Sequence, residues 1–199
     1  MIFATANKHK LREMRELLPE LALKALPEGV ELPPEEGESF AAIALEKARA
    51  AHAATDEAAI GDDSGIEATA LDGRPGIFSA RYGGVGASDE ENLDKLLREV
   101  AAAGSERRAA YHCALALVDA DGGERVFEAR CEGRLIEQPR GEGGFGYDPA
   151  FVPDDTGPDD ERTMSELSQV EKNEISHRGR AALLLAAHLD GGRVSQEAR

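Results

Sequence analysis

The sequence predicts an α/β protein built on a mixed sheet. Three observations carry this. A short apolar run at the start leads straight into a capped helix, two further helices are marked by their own caps, and a glycine turn joins two extended runs in the middle. At 199 residues the chain has the length of one domain.

Ile2-Phe3-Ala4-Thr5 reads as a buried strand, after which Asn7 caps a helix bearing Leu11, Met14, Leu17 and Leu18. A loop around Pro33-Pro34 gives way to Ser39, the cap of a second helix running to about Thr55. A brief strand is expected to end at Ile60, with Gly61-Asp62-Asp63-Ser64-Gly65 following it as a polar turn. Ser88-Asp89-Glu90-Glu91 forms a capping box for a helix whose Leu93, Leu96, Leu97 and Val100 share one face.

Asp121-Gly122-Gly123 then marks a hairpin. Centred on Gly122, it puts Tyr111, Cys113, Leu115 and Leu117 on one face with Phe127, Ala129 and Cys131. His112, Glu128, Arg130 and Glu132 fall on the other, and the match rests on that centre. Cys113 then faces Cys131, and core packing is expected there rather than a disulfide, because two cysteines without CxxC spacing fit a reducing compartment. A final apolar helix covers Ala181 to Leu189, and residues 190–199 are expected to fray for want of apolar periodicity.

Composition narrows the function. Acidic residues number 39 against 23 basic ones, so the formal net charge is −16. A field of that sign repels nucleic acid and anionic membranes, and no basic patch offsets it. Apolar stretches such as Ala181–Ala187 are too short to span a bilayer, and the opening residues do not follow the order of a secretory signal. The expectation is a soluble cytoplasmic protein with neither a nucleic-acid nor a membrane partner.

Four segments are candidates for chemistry. Thr5-Ala6-Asn7-Lys8-His9-Lys10 joins a strand to a helix start, where backbone N–H groups, a hydroxyl, an amide and lysines suit a phosphate; an ordinary Asn-capped helix accounts for the same residues. Asp62-Asp63-Ser64-Gly65 offers adjacent carboxylates that can hold a hard divalent cation and deprotonate water, or simply a polar turn. In Gly143-Gly144-Phe145-Gly146-Tyr147-Asp148-Pro149 the glycines admit a flat ligand, Phe145 or Tyr147 can stack on it, and Asp148 can accept from a base N–H. Lys172 and Ser176-His177-Arg178-Gly179 supply a cationic rim before the last helix, where capping is the plainer use.

Together, and in this order, these segments resemble the HAM1-like nucleoside-triphosphate pyrophosphatases, which act on inosine and xanthosine triphosphates. Pro75-Gly76-Ile77-Phe78-Ser79-Ala80-Arg81-Tyr82 is a further shared motif, and the likeness runs from Thr5 to about Leu189. The resemblance implies an elongated α/β fold, with two lobes around a central nucleotide-binding cleft within one domain over 1–189, and a homodimer. It implies that Thr5, Asn7, Lys8, His9 and Lys10 line the triphosphate, and that Ser64 contacts substrate. Phe145, Gly146, Tyr147 and Asp148 would grip the nucleobase, and Lys172, His177 and Arg178 would complete the pocket. Asp63 would be the general base and, with Asp62, would hold magnesium, or manganese or cobalt in its place.

One departure stands out. The family places a metal-binding Glu two residues after the Phe that matches Phe40, and this chain has Ala42 there. Glu38 and Glu46, one helical turn to either side, are the candidate replacements. The implied activity is hydrolysis of ITP, dITP or XTP to monophosphate and pyrophosphate. A phosphatase releasing inorganic phosphate and a nucleotide-binding protein without turnover are the alternatives that the missing Glu leaves open.

Overall fold

The structure is a computed structural model that describes the backbone of residues 1–197 and the side chains of 1–191. Six strands form a mixed sheet in the order β2-β1-β3-β4-β5-β6. These are β1 (Ile2–Ala4), β2 (Lys24–Ala25), β3 (Ala59–Ala68), β4 (Arg108–Val118), β5 (Glu124–Leu135) and β6 (Phe151–Pro153). β1 runs parallel to β2 and β3, whereas β5 and β6 are antiparallel. The helices are α1 (Lys8–Leu17), α2 (Phe40–Thr55), α3 (Asp89–Ala103), α4 (Gln169–Ile175) and α5 (His177–Glu197). The α/β class and the mixed sheet expected from the sequence are what the chain forms.

Helix starts follow their caps. Asn7 Oδ1 accepts from the N–H groups of His9 and Lys10, Ser39 caps α2, and Ser88 with Glu91 closes a capping box on α3. α5 continues past Leu189 to Glu197, since no proline or cap interrupts its hydrogen-bond ladder at Gly191; the last two residues of the expected frayed tail lie outside the described residues.

The chain divides into two compact units. The first comprises Met1–Asp63, Cys113–Ala129 and the chain from Arg178 onward; the second comprises Ser64–His112 and Arg130–His177. In the first, Phe3, Met14, Ile60, Leu115 and Leu185 form the main core. There α2 lies directly on β3: a Cβ on Gly61 would come within 1.9 Å of the Ala44 carbonyl oxygen, so only glycine permits the approach. In the second unit, the predicted α3 face of Leu93, Leu96, Leu97 and Val100 packs with Ile66, Tyr111, Cys131 and Phe151.

Two expectations change. β3 does not end at Ile60. It runs through Gly61–Gly65 to Ala68 and is buried along most of its length, so both aspartates sit inside a strand. The hairpin is centred on Asp121, not Gly122: Asp119 N–H donates to Gly123 O, and Leu135 N–H to Arg107 O. Gly122, at φ +82°, takes the left-handed last position of a three-residue turn over 120–122. Moving the centre by one residue moves the pairing by two, so every side chain keeps its predicted face and the match does not rest on the Gly122 centre; Cys113 lies opposite Ala129, not Cys131. Phe127 and Ala129 accordingly pack beside Cys113, Leu115 and Leu117. Both cysteines are free and buried, as expected.

Candidate functional site

In the first unit the chemistry centres on β3. Consecutive strand residues point to opposite faces, and Asp62 and Asp63 accordingly have separate surroundings. Asp62 Oδ1 lies 2.7 Å from Lys10 Nζ, while its Oδ2 lies 3.8 Å from Arg178 Nε and 4.0 Å from Cys113 Sγ. Arg178 is itself held by Glu13, at 2.6 Å, so Glu13, Arg178, Asp62 and Lys10 alternate in charge. Burial works against the Asp62 charge, but Lys10 and Arg178 outweigh it and hold its pKa below the ordinary carboxylate value.

Asp63 has a different balance. Lys47 Nζ donates to Asp63 Oδ1 at 3.2 Å, to the Asp62 carbonyl at 3.1 Å and to Glu35 Oε1 at 2.5 Å. Asp63 Oδ2 is buried with no hydrogen-bond partner. Burial pushes the Asp63 pKa up to about 6, and Lys47 and Lys10 limit the rise. Lys47 loses to burial but gains more from Asp63 and Glu35, and its pKa is raised.

Lys47 and Glu35 were absent from the sequence-based site. A signal for Lys47 existed: it occupies a core position in the α2 stripe Phe40, Ile43, Ala44, Lys47, Ala48, Ala51, where a lysine must have a buried partner. The two acids proposed from spacing go elsewhere. Glu38 is exposed just before α2, and Glu46 lies on the solvent side beside Arg49, which pairs with Glu124. The carboxylate that reaches the Asp63 cluster comes from the loop before α2.

At the start of α1, Asn7 is engaged as the cap and takes the His9 and Lys10 N–H groups, while Thr5 Oγ1 accepts from Asn7 N. Lys8 and His9 are exposed, and Lys10 turns inward to Asp62. The capping role expected as the plainer alternative is thus filled.

The second unit holds the glycine-rich loop. Asp148, buried, accepts from Tyr111 Oη at 2.9 Å, from Lys172 Nζ at 2.8 Å and from Phe145 N at 3.0 Å. Lys172 also lies 5.1 Å from the Phe145 ring centroid. A Cβ on Gly144 would come within 2.2 Å of Asp148 Oδ2, which ties the loop's glycines to that carboxylate. Gly146 N–H donates to Asp89 Oδ2. Tyr147 is buried, its hydroxyl on the Ser79 carbonyl, so Phe145 is the half-exposed aromatic of this loop. His177 stacks on Tyr111 with centroids 4.5 Å apart. Ser64, partly buried, follows Asp63 directly in β3.

The chain matches the model of the Ham1 family over residues 1–188. It is 44% identical over 195 residues to a dITP/XTP pyrophosphatase of Geobacter sulfurreducens, covering 95% of this chain and 96% of that one. It is 42% identical to a dITP/XTP pyrophosphatase of Thermus thermophilus, with 96% and 92% covered. Among solved structures, a HAM1 protein from Coxiella burnetii superposes with a TM-score of 0.85 at 39% identity, and the Staphylococcus aureus Ham1 protein with 0.84 at 36%. Each pairing covers 96% of this chain and 98% of the other.

Proposed function

The chain belongs to the Ham1 family, and on that premise we propose that it hydrolyses non-standard purine nucleoside triphosphates of the dITP/XTP class to monophosphate and pyrophosphate. The observation that carries the proposal is Asp63: a buried carboxylate with pKa near 6, one oxygen on Lys47 and the other without a protein partner. Such a group is ionised at neutral pH yet basic enough to take a proton from water.

In the proposed reaction a water oxygen bonds to the α-phosphorus and its proton passes to Asp63. The bond from the α-phosphorus to the bridging oxygen breaks, and that oxygen leaves with pyrophosphate. Lys10 and Lys47 supply positive charge in the unit that carries Asp63. Magnesium is commonly held by one or two carboxylates, with waters and substrate phosphates completing its shell. Asp63 Oδ2 and Glu35 fit that requirement; Asp62, with cations at both oxygens, does not. Among the described residues no cluster of three or more His, Cys, Asp or Glu is placed to hold an ion unaided, so substrate would complete the site. A bound divalent cation, magnesium or else manganese or cobalt, would neutralise charge on the triphosphate.

Asp148, Lys172, Phe145 and His177 would recognise the base. A 6-oxo purine carries an N–H donor at N1 where adenine has an acceptor, so a fixed acceptor discriminates strongly between them. The alternatives of phosphate release and of binding without turnover came from the missing Glu at Ala42, and Glu35, held on Lys47 beside Asp63, would supply a carboxylate in its place. No described helix is long and apolar enough to cross a membrane; a cytoplasmic homodimer is part of the proposal, and light scattering on the purified chain tests its dimeric state. Incubation with dITP and with dATP under magnesium, products separated by ion exchange, tests the reaction. Deoxyinosine monophosphate plus pyrophosphate, with dITP far ahead, is expected; diphosphate plus phosphate, or equal rates, would overturn it.

A further inference from the structure

We propose that Tyr111 is a positioning residue for substrate recognition, acting through Asp148; this rests on the function proposed above. The Tyr111 ring is held on two sides, stacked on His177 at 4.5 Å with planes 4° apart and edge-on to Phe151 at 4.8 Å. With the ring fixed, the phenol oxygen has one direction, and it donates to Asp148 Oδ1 at 2.9 Å. Lys172 Nζ and Phe145 N take the other oxygen, at 2.8 and 3.0 Å.

Asp148 is therefore gripped at both oxygens, with Tyr111 donating at Oδ1. The final torsion of an aspartate is broad and soft, so a carboxylate held at one oxygen can turn about it. Held at both, its plane is set, and with it the Phe145 amide and the ring beside Lys172. Tyr111 thus connects His177, through ring stacking, to the glycine-rich loop, through the carboxylate. Rigid support of this kind lowers the cost of ordering a binding loop around its ligand. Removing the hydroxyl should weaken ground-state binding of the base and leave the proton-transfer step on Asp63 unchanged.

The test is Tyr111→Phe in the full chain, which keeps both ring contacts. KM for dITP should rise about tenfold, in the range expected for losing a hydrogen bond to a charged group, with kcat within about twofold. Hydrogen exchange at the Phe145 amide should quicken about tenfold, while the Ile66 amide, bonded to Ser79 Oγ, stays unchanged as an internal control. An unchanged KM, an unchanged Phe145 amide, or equal acceleration at Ile66 would each overturn the proposal, the last by showing a general loss of stability. If the wild-type protein turns over no dITP, the functional reading fails by itself, and the two amides still decide whether Tyr111 holds the loop.

Discussion

Lys47 Nζ, 3.2 Å from Asp63 Oδ1, occupies one oxygen of a buried carboxylate whose other oxygen has no protein partner. The ammonium keeps the group ionisable in a site where burial alone would push its pKa beyond about 6. Replacing Lys47 with Met should therefore raise the Asp63 pKa further. The acid limb of the kcat/KM profile should move to higher pH, and activity at pH 7 should fall by about 10- to 100-fold. A profile whose limb stays near pH 6 would separate Lys47 from the base.

Asp63 should also cost stability. Its folded pKa lies above the unfolded value of about 4, so the folded state binds more protons between the two. Stability is then greatest below the unfolded pKa and declines as pH rises through about 6. The difference is on the order of 3 kcal/mol. Asp63→Asn should unfold at higher urea than wild type at pH 8, with the gap closing toward pH 4, while losing about a thousandfold in turnover.

Asp62 carries the opposite sign. Its folded pKa is lowered, because Lys10 and Arg178 outweigh burial, so its contribution is present at neutral pH and is lost as pH falls below the unfolded carboxylate value. Asp62→Asn leaves the buried Arg178 and the partly buried Lys10 short of a counter-ion and should destabilise the chain by about 3–5 kcal/mol at pH 7. Urea midpoints for the Asp62 and Asp63 variants, moving in opposite directions, check this.

Metal dependence distinguishes the three acids near α2. Glu35→Gln should raise the magnesium concentration for half-maximal turnover about tenfold, whereas Glu38→Gln and Glu46→Gln should leave it within about twofold. Calorimetry should also find manganese binding tighter with a triphosphate present than without. A magnesium response in Glu35→Gln equal to wild type would remove Glu35 from the site.

Gly61→Ala tests the packing beneath the site. Its methyl group would enter the Ala44 carbonyl, and α2 must move away from β3. A loss of about 1–3 kcal/mol or more is expected in urea unfolding, with lower activity because Lys47 moves with α2.

Much of this was legible locally. Caps at Asn7, Ser39 and Ser88 act within one turn, and their helices begin where those residues predict. The hairpin faces were readable because side chains alternate with period two; its centre was not, because three-residue turns centred on Asp121 and on Gly122 give the same alternation. Asp63, Asp148, Lys172 and Arg178 were named from motifs, and each is buried against charged partners.

The sequence by itself determined where the helices start, which residues have apolar faces, and which segments carry chemistry, since these depend on neighbours a few positions away. Tertiary structure decided how the charges are partnered. It set Asp62 against Lys10 and Arg178 and Asp63 against Lys47, because adjacent strand residues face opposite ways and meet different helices. It brought Glu35, not Glu38 or Glu46, to the Lys47 ammonium, twelve positions along the chain. Electrostatic pairing depends on distance through space and on burial, and spacing in sequence fixes neither.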